Sequence, residues 1–380
     1  MRLFVGIVGL SLILVILWDA FETIILPRRV TRKFRLARFF YRATWRPWIT
    51  MVRLLPVGKR RESYLSYFGP LSLLLLITMW AVGLVISFAL FHWAADPSAH
   101  VRDGLSGFSR DIYFSGSTFF TLGIGDVVPH TRFQKVLTVV EAGVGFGFLA
   151  IVIGYLPVIY QSFSRREVNI SLLDARAGSP PTAVGLLRRH SGDHGLAALQ
   201  ELLHDWEQWS AELMESHLSY PVLGFFRSQH SNQSWLGALT AILDTSALVI
   251  VGVEGACKRQ AELTFAIARH AVVDLAQVFG TSPQRKEQDR LPPSELVRLR
   301  KQLEAAGLPL RHENGGDRKL AELRGMYESY VQSLSRFLEI SLPPWTIDPG
   351  KKDNWQSSPW EKKAARPGGE EKVPARDEHF

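Results

Sequence analysis

Three long apolar runs, at residues 3–26, 67–93 and 136–160, constrain this chain more than any other feature of its sequence. Each is long enough to cross about 30 Å of hydrocarbon as a helix, which takes roughly twenty residues. A bilayer offers no water to unpaired backbone amides, so a span of this length folds as a helix. The mean hydropathy of +0.04 hides this, because an apolar front part is averaged with a polar remainder. The expected fold class is an all-α membrane protein, with 380 residues enough for two or three units.

Charge sets the orientation. Residues 27–62 carry Arg28, Arg29, Arg32, Lys33, Arg35, Arg38, Arg42, Arg46, Arg53, Lys59, Arg60 and Arg61 against the single acid Glu62. Short loops so rich in Arg and Lys stay in the cytoplasm. The span 67–93 then leads outward, the nearly neutral loop 94–111 lies outside, and the span 136–160 returns the C-terminal part to the cytoplasm. The membrane expected is the plasma membrane. The run 3–26 reads as a retained N-terminal span rather than a cleaved signal peptide. No small-x-small site follows it, the apolar pattern resumes at Ile24, Ile25 and Leu26, and cleavage would put the cations outside.

Asp19 and Glu22 lie one turn apart in the cytoplasmic half of that first span, where an isolated charge costs at least ~2.5 kcal/mol. Partners in the basic connector are expected, with a role in gating or ion attraction as the alternative. The connector, 27–64, interleaves its cations with Phe34, Phe39, Phe40, Tyr41, Trp45 and Trp48. That pattern suits helices lying on anionic lipid. Nucleic acid also attracts basic and aromatic mixtures, but a segment tethered between two spans is held at the membrane, so no nucleic-acid partner is expected.

The stretch between the second and third spans is too long for a turn. Residues 111–121 have the length of a short re-entrant pore helix, with Asp111 where a negative charge favours a helix start and Ile112, Phe114, Phe119 and Phe120 available for packing. Thr121, Leu122, Gly123, Ile124, Gly125 and Asp126 follow directly. A dehydrated cation needs rings of oxygens, and backbone carbonyls supply successive rings only if alternate residues adopt conformations that glycine allows. Gly123 and Gly125 have that spacing. Thr121 can add a hydroxyl at the inner end, and Asp126 closes the outer end, either bonded behind the filter or adding negative potential at the mouth.

At these residues the chain resembles the potassium channel superfamily with two pore-forming helices per subunit, whose filter pattern is Thr-x-Gly-Tyr/Phe-Gly-Asp. The resemblance covers about 65–164 and implies an outer helix at 65–93, a pore helix at 111–121, a filter at 121–126 and an inner helix at 134–160. It also implies that the carbonyls of Thr121, Leu122, Gly123 and Ile124 bind dehydrated potassium. One filter copy cannot surround an ion, so closure by three further identical subunits, a homotetramer, is expected. Ile124 departs from the family pattern, which has an aromatic there. A non-selective cation channel, or a membrane sensor with a pore-like fold, therefore stays open as the alternative.

Within the inner helix, Gly143, Gly145, Gly147 and Gly154 lower helix stability and Pro157 removes a backbone bond. Gly145, Pro157 and Glu141 are the candidates for a gate or hinge, with bending near Pro157 opening and closing the pore, and the resemblance puts the hinge itself at Gly145. The competing reading is close helix packing, for Gly143 and Gly147 are four apart. Glu141 is an expensive acid in this span, expected to bond behind the filter or to attract cations in the vestibule. His92, His100 and His130 are expected to be ordinary exposed histidines near the outer mouth. No span carries a regular arginine array, so steep voltage gating is not expected.

Residues 165–342 show helical periodicity and no strand-helix alternation that would hold a nucleotide. The run 236–253 is apolar, but Asp244 interrupts it, so a buried soluble helix is expected rather than a fourth span. Trp206, Trp209 and Trp235 are expected in a core. His190, Asp193 and His194 look like metal ligands, yet Gly192 and Gly195 mark a solvated turn. Cys257, the one cysteine, excludes an intrachain disulfide and reads as a small buried residue. No nucleotide-phosphate string and no nucleophile-base string appears, so neither an enzyme nor a cofactor beyond filter potassium is expected. Residues 343–380, dense in Pro, Gly and charge, read as a disordered tail.

Overall fold

The computed structural model describes residues 2–26, 35–95, 107–192, 194–230, 232–252, 256–283, 289–308 and 315–348. It is helical, with no strand among the described residues, and separates into two compact units, Met1–Gln161 and Ser162–Phe380.

The first unit holds α1 (Arg2–Ala20), extended by a wider turn at Phe21–Ile25, then α2 (Leu36–Arg53), α3 (Lys59–Ala95), α4 (Phe108–Phe119) and the front of α5 (Arg132–Ala177). α1, α3 and α5 contain windows long and apolar enough to cross a membrane. Ile13, Ile16, Trp80, Leu84, Phe88 and Phe148 form the centre of the packing. Lipid tails are as apolar as leucine, so among such helices it is shape and polar ties that decide who pairs with whom.

Asp19 supplies one such tie. It is buried and accepts from the Ala37 amide at 3.1 Å and the Trp80 indole at 3.0 Å. Arg35, at the N-cap of α2, makes no side-chain cap of its own, so the carboxylate of α1 satisfies an amide of the first turn of α2. Glu22 accepts from the Trp18 indole at 2.7 Å and faces the Arg35 guanidinium at 3.7 Å. The expected pairing of both acids with the connector is thus what the structure contains. The connector's residues 27–34 lie outside the described residues.

Two helix ends differ from expectation. The outer helix begins at Lys59 rather than 65, because Pro56 breaks the chain after α2 and nothing in 59–64 interrupts a helix. The inner helix runs past 160 to Ala177 and stops where Gly178 takes φ 90°. Hydropathy ends at 160, but helix-forming residues do not.

The second unit holds the end of α5 with α6 (Ala183–Arg189), α7 (Gly195–Ser219), α8 (Trp235–Gly252), α9 (Ala256–Phe279), α10 (Pro293–Ala305), α11 (Gly316–Gly325) and α12 (Glu328–Leu338). α8 is buried on every face from Trp235 to Val249 by these helices. A helix apolar all round lies in lipid or in a protein core, and α8 occupies a core. Asp244 is tolerated there because Arg290 donates to both its oxygens at 2.9 and 3.1 Å and the Tyr327 hydroxyl donates at 2.5 Å. A buried acid without such partners would be strongly destabilising.

Arg290 and Arg324 also stack on Trp345, at 5.7 and 5.4 Å. Trp345 is 1% exposed, and the Ile347 amide and carbonyl both bond to Gln302. Residues 343–348 are therefore packed, against the expectation of disorder from 343, since one tryptophan outweighs the surrounding Pro and charge. Residues 349–380 lie outside the described residues. Trp206, Trp209 and Trp235 are core residues, and Cys257 is buried. His190 Nδ1 bonds to the Leu186 carbonyl at 2.8 Å, while Asp193 lies outside the described residues.

Arg166, on the last turns of α5, is buried and donates to the carbonyls of Leu223 and Phe226, each at 2.9 Å. Its Nη1 also meets His217 Nε2 at 3.1 Å, while His217 Nδ1 bonds to the Leu213 carbonyl at 2.9 Å. Burial, then the Arg166 charge, hold the imidazole well below its usual value of 6.5. The folded state therefore refuses a proton that the unfolded chain takes up. Stability is complete above pH 6.5 and falls as pH drops below it, by about 1.4 kcal/mol per unit until the folded group titrates. Urea unfolding of the detergent-solubilised chain between pH 5 and 8 should show this slope, and His217→Gln should flatten it.

Candidate ion pathway

The re-entrant helix α4 begins at Phe108, three residues before the expected 111 and ends at Phe119. Arg110 and Asp111 are buried in its first turn and pair at 2.7 and 3.0 Å, so Asp111 meets both the helix N-terminus and a guanidinium. The chain then leaves the helix in a tight turn. The Thr121 amide donates to the Thr118 carbonyl at 3.0 Å, and the Ser117 carbonyl receives the amides of Leu122 at 2.8 Å and Gly123 at 3.4 Å.

From there every second residue has positive φ: Thr121 at 58°, Gly123 at 58° and Gly125 at 83°. Glycine adopts this region freely, whereas a β-branched residue pays for it. Thr121 is therefore a strained residue that sequence spacing did not identify as such. Residues 121–126 are all exposed in the single chain, Leu122 by 66% and Ile124 by 61%. The Asp126 carboxylate accepts from the Val127 amide at 3.0 Å and lies near the Tyr113 hydroxyl of α4.

α5 starts with reciprocal caps. The Gln134 amide donates to Thr131 Oγ1 at 3.1 Å, and Gln134 Oε1 accepts from the Thr131 amide at 3.2 Å. Its inward stripe includes Leu137, Glu141, Gly145, Phe148, Tyr155 and Ile159, all buried. Val136, Val139, Phe146, Leu149 and Ile153 point away and are exposed. Pro157 lies inside the helix, on an exposed face, and the helix continues through it.

At Gly145 a Cβ would stand 2.0 Å from the Phe119 carbonyl oxygen and 2.8 Å from its carbon. The inner helix thus touches the backbone at the end of the pore helix there. At Gly143 and Gly147, the pair whose spacing suggested close packing, an added Cβ would meet no other part of the chain within 4 Å. The close approach falls between them.

Glu141 is fully buried behind α4. Its Oε2 lies 2.9 Å from His92 Nε2, and its Oε1 bonds to the Ser115 hydroxyl, which also lies 2.8 Å from the Val85 carbonyl. The carboxyl group thus ties α5 to Ser115 of α4 and to His92 of α3. His92 is 1% exposed with its ring edge on Phe114 at 5.0 Å, which corrects its expected surface position. A buried acid demands a partner, and that demand was the one sequence signal that could have found His92. His130 is exposed, and His100 lies outside the described residues.

A short helix entering between two spans, followed by an extended strand of alternating handedness, defines a pore-loop membrane protein. Residues 74–161 match a family model described as an ion channel. This similarity covers the pore segment to which residues 121–126 belong, in a chain with several helices long and apolar enough to cross a membrane. A relative in Bacillus subtilis (strain 168), the uncharacterized membrane protein YdjJ, is 27% identical over 192 residues. The aligned region is 49% of this chain and 54% of that protein, so the chain spans about half the length of this relative. No solved structure matches the chain.

Proposed function

We propose that the chain is one subunit of a passive, potassium-selective channel in the plasma membrane, closed by fourfold symmetry around residues 121–126. The observation that carries this reading is the positive φ at Thr121, Gly123 and Gly125, every second residue of a strand following a re-entrant helix. Such alternation lets successive carbonyls of Thr121, Leu122, Gly123 and Ile124 turn to one side, where they replace the water shell of a dehydrated cation. A single strand supplies one oxygen per ring, and four copies supply the rest. The exposed apolar faces of α5 and of the filter are then the surfaces that meet lipid, pore and neighbouring subunits.

The basic connector lies on the cytoplasmic leaflet, held by anionic lipid through Arg42, Arg46 and Arg53 with Phe39 and Met51 at headgroup depth, and the C-terminal unit is cytoplasmic. Ile124 favours a second reading. With no ring at that position to pack a cuff around the strand, the filter has less to hold its diameter, and a channel passing sodium as well as potassium follows. Purified protein in liposomes under a potassium gradient separates the two. Flux blocked by barium and absent for sodium supports potassium selectivity, equal sodium flux supports the second reading, and no flux of either ion sinks both.

A further inference from the structure

The hydrogens around Glu141 can be counted. The single hydrogen of Ser115 lies between two oxygens, the Val85 carbonyl at 2.8 Å and Glu141 Oε1. A proton on Glu141 Oε1 would let the acid donate to Ser115 Oγ and Ser115 donate to Val85, giving each contact its own hydrogen. Oε2 is left to accept from His92 Nε2 at 2.9 Å. His92 Nδ1 is buried with no partner. As a lone pair on a neutral ring it costs little, whereas the N–H of a cationic ring would be a stranded donor. With Glu141 neutral each of these contacts carries its own hydrogen, and full burial inside a membrane protein favours that state.

We propose that Glu141, as the neutral acid, is a positioning residue for the filter, relaying one hydrogen-bond chain from His92 of α3 through Ser115 of α4 to the Val85 carbonyl. Building on the channel reading, this gives the pore helix a rear anchor that does not depend on an aromatic at position 124. Ser115 lies two residues before Ser117, whose carbonyl holds the Leu122 and Gly123 amides, so a shift of α4 at Ser115 moves the filter directly. Removing the acid's proton leaves Ser115 with two acceptors for one hydrogen and releases that end of the chain.

The other ionisable groups on the elements packed around the pair are few. α4 carries Arg110 and Asp111, bonded to each other, and Tyr113, near Asp126; α5 carries Arg132 and Lys135, and α1 carries Arg2 near this end, all three exposed. None of them bonds to Glu141 or His92, and among the described residues His92 is the one base in contact with the acid.

The test compares wild type with Glu141→Gln, Glu141→Leu and Ser115→Ala in liposomes, with assembly checked by native electrophoresis and the carboxyl group read by infrared difference spectroscopy. Glutamine reproduces one donor and one acceptor. It should keep the ratio of potassium to sodium flux and remove that ratio's decline at alkaline pH. Leucine and Ser115→Ala should lower the ratio by about tenfold in assembled protein, the size expected when a buried bond is left half-made. The wild type should show a protonated carboxyl band at neutral pH that Glu141→Gln lacks. An unchanged ratio in assembled Glu141→Leu, or no such band, overturns the proposal alone. A wild type that conducts neither ion overturns the channel reading, and the positioning role with it.

Discussion

Alanine at position 123 should lower potassium flux by about a thousandfold while leaving the helices of the subunit intact. Gly123 has φ 58°, and an added Cβ there would meet nothing within 4 Å in the subunit, so the effect is conformational rather than steric. Holding an alanine in the left-handed region costs roughly 1–2 kcal/mol. In the fourfold ring proposed above that is at least about 4 kcal/mol, and every 1.4 kcal/mol is a factor of ten. The strand instead relaxes to negative φ and turns a carbonyl off the axis, leaving one oxygen ring incomplete. Potassium flux into liposomes measures this, with Gly143→Ala as the control. Gly143 also has open space beside it, but its backbone is helical, where alanine is at least as comfortable as glycine. Flux near wild type for Gly123→Ala would remove the filter assignment.

The sequence made these glycines legible because their requirement is local: spacing of two, after a helix-length segment, between two spans. The apolar runs were legible for the same reason, as length alone answers the thickness of a bilayer. What stayed hidden was pairing across distance. His92 and Glu141 are 49 residues apart, and no period or motif joins them; only the fold brings Nε2 to Oε2. Asp19 was expected to find a partner in the connector, yet the indole of Trp80 could not be named beforehand. Arg290 lies 46 residues from Asp244, so the partner that turns an apolar run with an acid into a core helix was equally invisible. Local rules end where one aromatic residue reverses a composition, as Trp345 does within a stretch of Pro and charge.

Gly145→Ala should disable the pore domain by a different route. The new Cβ would stand 2.0 Å from the Phe119 carbonyl oxygen, inside any possible contact, and the obstacle is backbone rather than a side chain that can rotate away. Either α5 withdraws from α4 or the end of α4 moves, and the filter begins two residues beyond Phe119. Overpacking of this kind costs about 3 kcal/mol, the upper end of the range for one added methyl, because nothing nearby yields cheaply. Lowered thermal stability and lost flux should appear together, while Gly147→Ala, whose Cβ meets nothing in the subunit, should keep both. The hinge role that the family resemblance implies for Gly145 makes a separable forecast: a stable, assembled, selective channel whose opening alone is altered. Melting curves beside flux decide between them, because a hinge can stiffen without loss of stability, whereas a helix pushed off the Phe119 backbone cannot.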